Sequence, residues 1–241
     1  MVQQVFSCSA ELARAAAEEA SILLRNAIDE RGKARFVAAT GRSQVDFLSV
    51  LTADRRVDWS RVELFHLDEY IGLGADDRAS FQRYMRERVI LPTGIRCAYL
   101  LDGMADPAAV CRDAGAALSS APVDLLMAGI GENGHLAFND PPADFETEEP
   151  FMVVELDDRN RFQQVREGWF AALEDVPQRA ITMSIRQILK ANAILCLAPG
   201  AHKLEAVGAC LCGEIGPMSP ASALRLHPRA TLYLDRESAQ A

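Results

Sequence analysis

The 241-residue chain lacks the features that mark a membrane or exported protein. No apolar run approaches the ~18 residues that a membrane-spanning helix requires. The N-terminus has no basic segment leading into an apolar stretch, which a secretory signal would have. From these absences we expect a cytoplasmic protein without a membrane partner.

The six cysteines and four histidines also lack any familiar metal-binding pattern. Cys210 and Cys212 are separated by one residue rather than two, and the histidines do not have HExxH spacing. The cysteines are too sparse for the disulfide framework of a small secreted domain. We therefore expect no bound metal ion, and reduced thiols that are mostly buried.

Positive charge is scarce as well. The net charge is -9, and the chain has only three lysines, Lys33, Lys190 and Lys203. A nucleic-acid-binding or lipid-binding protein would carry a basic surface, which this composition excludes. An anionic ligand must therefore be held by a few local groups.

What is present is the composition of a globular protein, with 49% hydrophobic and 24% charged residues. Short apolar runs, each followed by a turn and a stretch of helical spacing, recur at 35–39, 62–67, 123–128 and 193–198. Strands that alternate with helices predict parallel pairing, because parallel neighbours need crossover connections. We predict a doubly wound, largely parallel α/β sheet flanked by helices, Rossmann-like and forming a single domain over residues 1–241.

The pattern also predicts individual elements at the two ends of the chain. Small apolar residues at three-and-four spacing indicate a helix over 9–31, with Ser9 as its cap and Gly32 at its end. Residues 221–224 resemble a last short helix, and 231–234 resemble an edge strand. In a doubly wound sheet, ligands bind outside the carboxyl ends of the strands, so we expect the site at the turns after residues 39, 67, 128 and 198.

The turn at 129–134 reads GIGENG and formally matches the dinucleotide-binding pattern. That pattern requires a full helix directly after the third glycine, and Pro141-Pro142 prevents a long helix here. We therefore expect no nucleotide cofactor. The glycines instead allow backbone N–H groups to approach a ligand, beside His135 and Asp140. His135 could transfer protons or simply hold the loop, and the residue pattern leaves both alternatives open.

Two further turns carry candidate polar groups. Asp68 and Glu69 end a mostly apolar strand, where they could cap the next turn or, if desolvated, supply a base. The turn formed by Thr40, Gly41, Arg42 and Ser43 precedes a helix, so its N–H groups could bind phosphate or form an ordinary turn. Lys203 follows the turn at 199–200, where a helix should begin, and is a candidate for binding phosphate. In isolation a solvated surface lysine is the simpler interpretation.

Together, LDEYIGL at 67–73 and GIGENGHLAFNDP at 129–141 resemble the signatures of glucosamine-6-phosphate deaminases. The resemblance extends more weakly to 40–41, 180–182, Gly200 with Lys203, and 226–228. The related 6-phosphogluconolactonases share the fold and a glycine-histidine loop, but usually continue with Ala-Ser-Leu-Phe. This chain continues with Ala-Phe-Asn-Asp-Pro after Leu136, which favours the deaminases.

The resemblance implies conversion of glucosamine 6-phosphate and water to fructose 6-phosphate and ammonia, without metal or organic cofactor. It implies that Asp68 moves a proton between C2 and C1 of the sugar, and that His135 opens the pyranose ring. The partner is then a phosphorylated amino sugar, and a homo-oligomer is possible. General acid–base chemistry agrees, because an acidified C–H needs a positioned base and ring opening needs proton transfer.

Four positions depart from the family pattern. Asn133 replaces a frequent aspartate and could orient the imidazole without neutralising it. Asp140 replaces a glutamate, and its shorter side chain predicts a long or water-mediated contact with His135. Arg42 stands where relatives often have glycine, and either contacts phosphate or narrows the pocket. The family's phosphate arginine is out of register here, with Arg166 the nearest candidate.

These departures keep other activities open. The substrate could be another hexosamine phosphate, such as a galactosamine or N-substituted form. The remaining alternatives are a lactonase and a sugar-phosphate sensor without catalysis. The sensor would be expected to carry a DNA-binding helix-turn-helix, and the sequence shows none.

Overall fold

The computed structural model describes residues 1–240, and its centre is a seven-stranded sheet. All neighbours pair in parallel, in the order β1-β10-β9-β6-β2-β3-β5. The strands are β1 Val2–Phe6, β2 Ala34–Ala38, β3 Val62–His66, β5 Cys97–Tyr99, β6 Leu125–Gly129, β9 Ile194–Leu197 and β10 Ala230–Asp235. The predicted doubly wound α/β fold is confirmed.

Helices connect these strands and cover the sheet. They are α1 Ser9–Arg31, α2 Arg42–Thr52, α3 Phe81–Met85, α4 Leu91–Thr93, α5 Pro107–Ser119, α6 Asp158–Arg166, α7 Ile185–Ile188 and α8 Leu204–Cys212. A π-helical turn, Arg86–Ile90, joins α3 to α4, and short 3-10 turns lie at Trp59–Arg61, Leu173–Asp175, Ala201–Lys203 and Pro220–Leu226. None of the helices within residues 1–240 is long and apolar enough to cross a membrane.

A second, smaller sheet was not predicted from the sequence. It has three antiparallel strands in the order β4-β8-β7, with β4 Asp68–Tyr70, β7 Phe151–Glu155 and β8 Arg179–Met183. Strand β4 begins two residues after β3 ends, so the chain passes directly from one sheet into the other. Asp68 therefore lies where the two sheets meet.

Three details at the chain ends and among the cysteines differ from expectation. The prediction that 231–234 form an edge strand is wrong, because β10 lies between β9 and the N-terminal strand β1. Ser9 is the first residue inside α1 rather than its cap, and Cys8 precedes it without a side-chain capping bond. The thiols are free but not mostly buried, since only Cys196 and Cys210 are.

The parallel arrangement places the carboxyl ends of all seven strands at one edge of the molecule. The apolar runs read from the sequence form the inner strands, and β2 is buried at every position. Tightly packed strands of this kind hold the turns that follow them in fixed positions.

Candidate active site

A cavity of about 540 Å³ opens at this edge, and the predicted turns line it. Its walls include residues from the ends of β2, β3, β6 and β9, as expected for a doubly wound sheet. Most of the candidates from the sequence contribute to it: Thr40, Gly41, Arg42, Ser43, Asp68, His135, Arg166 and Lys203. Asn133 and Asp140 do not line it, and they lie behind His135.

Asp68 reaches the cavity from the first residue of β4. Its side chain is buried, and Oδ1 has no hydrogen-bond partner within residues 1–240. Burial raises the pKa of Asp68 well above its usual range, and the neighbouring charge of Glu69 raises it further. A desolvated carboxylate of raised pKa is the environment expected of a base that accepts a proton from carbon.

Glu69 faces away from the cavity and has a different task. Its carboxylate accepts hydrogen bonds from the backbone N–H groups of Tyr70 (2.9 Å), Phe81 (3.1 Å) and Gln82 (2.7 Å), and from the Ser80 hydroxyl (3.0 Å). Three of these donors, Ser80, Phe81 and Gln82, lie at the start of α3, whose first N–H groups would otherwise lack partners. Of the two alternatives for this acidic pair, capping of the next turn applies to Glu69. Asp68 takes no part in the cap.

His135 is held flat against the glycine-rich turn. A Cβ built on Gly131 would come within 2.2 Å of the imidazole, so only glycine leaves room for the ring. The Gly131 N–H donates to the His135 carbonyl at 3.0 Å, which closes the turn around the same residue. The ring is about nine-tenths buried and borders the cavity.

Asp140 stands directly behind the imidazole. Its Oδ1 lies 3.2 Å from His135 Nδ1, a direct contact at the long end of hydrogen-bond distances, as the shorter acid predicts. Nδ1 has no partner that meets hydrogen-bond geometry within residues 1–240. Oδ1 also accepts from Asn133 Nδ2 at 2.9 Å, and Oδ2 accepts from the Asp157 N–H at 2.9 Å. Burial raises the pKa of Asp140, but the contact with His135 and these donors outweigh it, so the net pKa is below the usual value.

Asn133 does not contact the imidazole as the sequence suggested. Its amide nitrogen donates to Asp140, and its oxygen accepts the backbone N–H of His135 at 3.1 Å. An aspartate at 133 would set a second carboxylate against Asp140. The asparagine therefore fits the shorter acid at 140, because it supplies a donor where a charge would repel.

Strand β8 connects the strand that carries Asp68 to the loop that carries His135. Thr182 pairs with Asp68 across the small sheet, and its hydroxyl accepts the N–H of Phe138 at 3.0 Å. Asn139 donates to the carbonyl of Met183, the next residue of β8, at 2.9 Å. The motif noted at 180–182 thus fixes the position of the Asp68 strand relative to the histidine loop.

The turn after β2, which the sequence predicts to bind phosphate, lies at the cavity. Gly41 has a φ of 97°, which disfavours other residues, and α2 begins directly after it with its free N–H groups at the cavity. Arg42 also lines the cavity, and its Nη1 donates to the carbonyl of Glu167 at 3.2 Å. The guanidinium therefore connects the phosphate turn to the end of α6.

Lys203 and Arg166 differ in exposure. The interpretation of Lys203 as a solvated surface lysine is wrong, because the residue is only 5% exposed and faces the cavity. Burial lowers its pKa from the usual value, and an anionic ligand would favour its charged form. The Arg166 side chain is 61% exposed and forms an ion pair with Glu132, so its role in binding stays a prediction.

Helix α6 supplies cavity residues that the sequence did not reveal. Gln163, Gln164 and Glu167 all line it, and Gln163 Oε1 accepts the Glu132 N–H at 3.0 Å. Polar side chains on a short helix carry no distinct signal, so only the packing of α6 over the histidine loop identifies them. No group of three His, Cys, Asp or Glu suited to a metal ion occurs in the part of the chain that the structure describes.

Comparison with known proteins agrees with this geometry. Residues 7–233 match the family model described as glucosamine-6-phosphate isomerases/6-phosphogluconolactonase. A glucosamine-6-phosphate deaminase of Bacillus cytotoxicus is 36% identical over 223 residues, covering 92% of this chain and 83% of that protein. One of Bacillus cereus is 38% identical over 201 residues, covering 83% and 75%.

Solved structures show the same relationship. A monomeric glucosamine-6-phosphate deaminase superposes with a TM-score of 0.92 at 32% identity, covering 99% of both chains. A 6-phosphogluconolactonase from Shewanella baltica has a TM-score of 0.80 at 23% identity, covering 98% of this chain and 97% of that one, and shares the fold.

The fold and its cavity define a doubly wound α/β protein with polar groups gathered at the carboxyl edge of its sheet. More particularly, the chain belongs to the glucosamine-6-phosphate isomerase/6-phosphogluconolactonase family.

Proposed function

We propose that this protein catalyses the isomerising deamination of glucosamine 6-phosphate, giving fructose 6-phosphate and ammonia. The observation that carries the proposal is one cavity bordered by a desolvated carboxylate, Asp68, and by an imidazole backed by a second carboxylate. Further support comes from relatives at 36–38% identity that bear the name of this deaminase.

Phosphate binding sets the orientation of the sugar. The N–H groups at the start of α2, the Ser43 hydroxyl and the Lys203 ammonium are the groups of the cavity lining suited to hold the phosphate. A helix N-terminus and a nearby cation both favour a phosphate group. The sugar then extends toward Asp68 and His135 at the other strand ends.

Ring opening is assigned to His135. The imidazole takes the proton of the C1 hydroxyl and returns a proton to the ring oxygen as the C1–O5 bond breaks, leaving an aldehyde at C1. Asp140 stabilises the imidazolium that forms between these two transfers, because it holds a negative charge 3.2 Å from Nδ1.

Isomerisation is assigned to Asp68. The C1 aldehyde acidifies the C2–H, and Asp68 removes that proton while O1 gains a proton from the substrate ammonium, which gives an enolamine with a C1 hydroxyl. Asp68 then returns its proton to C1, and C2 becomes a protonated ketimine. Water then adds to the ketimine carbon, and ammonia leaves as the C2 ketone forms. The substrate ammonium favours the ionised form of Asp68, which offsets its burial when the substrate binds.

The test is an ammonia-release assay on glucosamine 6-phosphate, galactosamine 6-phosphate and their N-acetyl forms. We expect the greatest turnover with glucosamine 6-phosphate. Acid production from 6-phosphogluconolactone is measured in parallel. Lactone hydrolysis without ammonia release would favour a lactonase, and calorimetric binding without any turnover would favour a sensor.

Two accompanying expectations concern the protein's setting. We keep the cytoplasmic location and the possible homo-oligomer as predictions, and light scattering of the purified protein measures the second directly. The solved relative with a TM-score of 0.92 is a monomeric deaminase, so a monomer is the alternative outcome.

A further inference from the structure

Asp140 receives more hydrogen bonds than its own loop supplies. Besides Asn133 and the Asp157 N–H, the amide nitrogen of Asn160 donates to both carboxylate oxygens, at 3.0 Å to Oδ1 and 3.1 Å to Oδ2. Asn160 is 1% exposed and belongs to α6, a separate element of the chain. Nothing in the sequence motifs singles it out.

Asn160 also connects to the cavity. Its amide oxygen accepts a hydrogen bond from Gln164 Nε2 at 3.2 Å, one helical turn further along α6. Gln164 is 7% exposed and lines the cavity. The chain of contacts therefore runs from Gln164 through Asn160 and Asp140 to His135, and both of its ends line the cavity.

We propose that Asn160 is a positioning residue that holds Asp140 against His135, with Gln164 anchoring it from the cavity side. The inference rests on the proposed function, and it assigns to α6 a part in ring opening. The shorter acid at 140 depends on this support, because its carboxylate must sit where donors from Asn133, Asp157 and Asn160 all reach it.

The geometry makes the role of Asn160 specific to one step. Ring opening needs the imidazole in one orientation with Nδ1 protonated toward Asp140, and small displacements of a reacting group are costly. Phosphate binding and the Asp68 step use other elements of the cavity. Loss of Asn160 should therefore lower kcat while leaving the binding of an already open sugar intact.

The experiment compares Asn160→Ala and Asn160→Asp with Arg159→Ala, an exposed neighbour on the same helix. We expect kcat for ammonia release to fall by about 10–100-fold in both Asn160 variants and to be unchanged in the control. Gln164→Leu should show a smaller decrease. The dissociation constant of the open-chain analogue, 2-amino-2-deoxyglucitol 6-phosphate, should change by less than about threefold, because no ring must open.

The pH profile gives a second readout. The titratable groups that face Asp140 are His135 on its own loop, Asp157 at the start of α6 and Tyr70 on β4. Removing a donor from the ionised carboxylate raises its pKa, and Asp at 160 adds a like charge that raises it further. The pH at which Asp140 itself protonates, followed in the pH profile of its ¹³C-carboxyl NMR signal, should therefore move upward, by about one unit in Asn160→Ala and more in Asn160→Asp.

A spectroscopic readout does not need turnover. In ¹⁵N-histidine spectra, assigned with His135→Asn, the wild-type ring should show the Nδ1-protonated tautomer and Asn160→Ala a mixture of tautomers. An unchanged tautomer and unchanged kcat would overturn the proposal, as would equal losses of kcat and analogue binding. Failure of the wild type to release ammonia would refute the proposed function instead, and the tautomer comparison would still decide the role of Asn160.

Discussion

Two aspartates in the active-site region carry the same side chain in opposite surroundings. Asp68 has an oxygen without a hydrogen-bond partner within residues 1–240, and burial raises its pKa. Asp140 is also buried, but the imidazole and donors from two elements hold its pKa below the usual value. The surroundings, rather than the residue type, raise the pKa of one and lower the pKa of the other, which suits the first to the proposed role of proton acceptor and the second to that of a fixed negative charge.

The difference also separates catalysis from stability. The folded protein holds Asp68 in a place that disfavours its charge, whereas it holds Asp140 in a place that favours its charge. Neutralising either carboxylate should therefore lower activity. Neutralising Asp68 should raise the stability of the fold, whereas neutralising Asp140 should lower it. Four predictions, made with three substitutions, examine this contrast.

The largest effect is expected from Asp68→Asn on turnover. Loss of a general base typically lowers the rate by about 10²–10⁴-fold, and the amide cannot accept the C2 proton. The measurement is kcat for ammonia release, with Asp29→Asn, an exposed acid on α1, as the matched control. A decrease smaller than tenfold would contradict the role assigned to Asp68.

Asp140→Asn should lower the free energy of unfolding by about 2–3 kcal/mol. The asparagine would place an NH₂ group where a carboxylate oxygen accepts hydrogen bonds, so donors would face a donor. The folded pKa of Asp140 lies below its unfolded value of 3.8, so its stabilisation is present above that pH and is lost as pH falls. Urea unfolding at pH 7 and pH 3 measures this, because pH 3 lies below the unfolded value. The deficit should narrow at pH 3, and an equal deficit at both values would refute the electrostatic account.

Glu69→Gln should lower the free energy of unfolding by about 1–2 kcal/mol. The four donors share two carboxylate oxygens in the wild type, and glutamine would leave them one acceptor oxygen. The loss is smaller than at Asp140, since burial raises the pKa of Glu69 even with its hydrogen bonds. Thermal unfolding measures it, with Glu174→Gln as an exposed control. Unchanged stability would mean that the start of α3 does not depend on this carboxylate.

The smallest effect is a gain in stability. The folded pKa of Asp68 is above its unfolded value, so its burial costs nothing at low pH and destabilises the protein as pH rises. Asp68→Asn should therefore unfold about 2–4 °C higher at pH 8, corresponding to ~1 kcal/mol, with a smaller difference at pH 5. A lower melting temperature at pH 8 would show that Asp68 is stabilised in the free protein.

The sequence was sufficient for the main sheet because its inner strands are continuous apolar runs. Strand β1 was not predicted, because VQQVF is short and polar at two of its five positions. Its one partner in the sheet is β10, at the far end of the chain. The small sheet escaped for a similar reason. Residues 68–70 read as a strand end, and their pairing with β8 is set by contacts more than 100 residues apart.

In the site, local motifs identified residues whose neighbours in sequence are also their neighbours in space. Asp68, His135 and the turn at 40–43 belong to this group. The burial of Lys203, the capping task of Glu69 and the donors of Asn160 depend on packing between distant elements. The sequence could name the residues near the reaction but not their surroundings.

The close approach of the imidazole to Gly131 has a consequence for sequence divergence. Even alanine at 131 would displace the ring, so this position tolerates a side chain only in proteins whose residue 135 is smaller than histidine. The residue types at the two positions are therefore coupled. A relative with a smaller residue at 135 has room for a side chain at 131. Among homologues, we expect a substituted residue at 131 to occur together with a changed residue at 135.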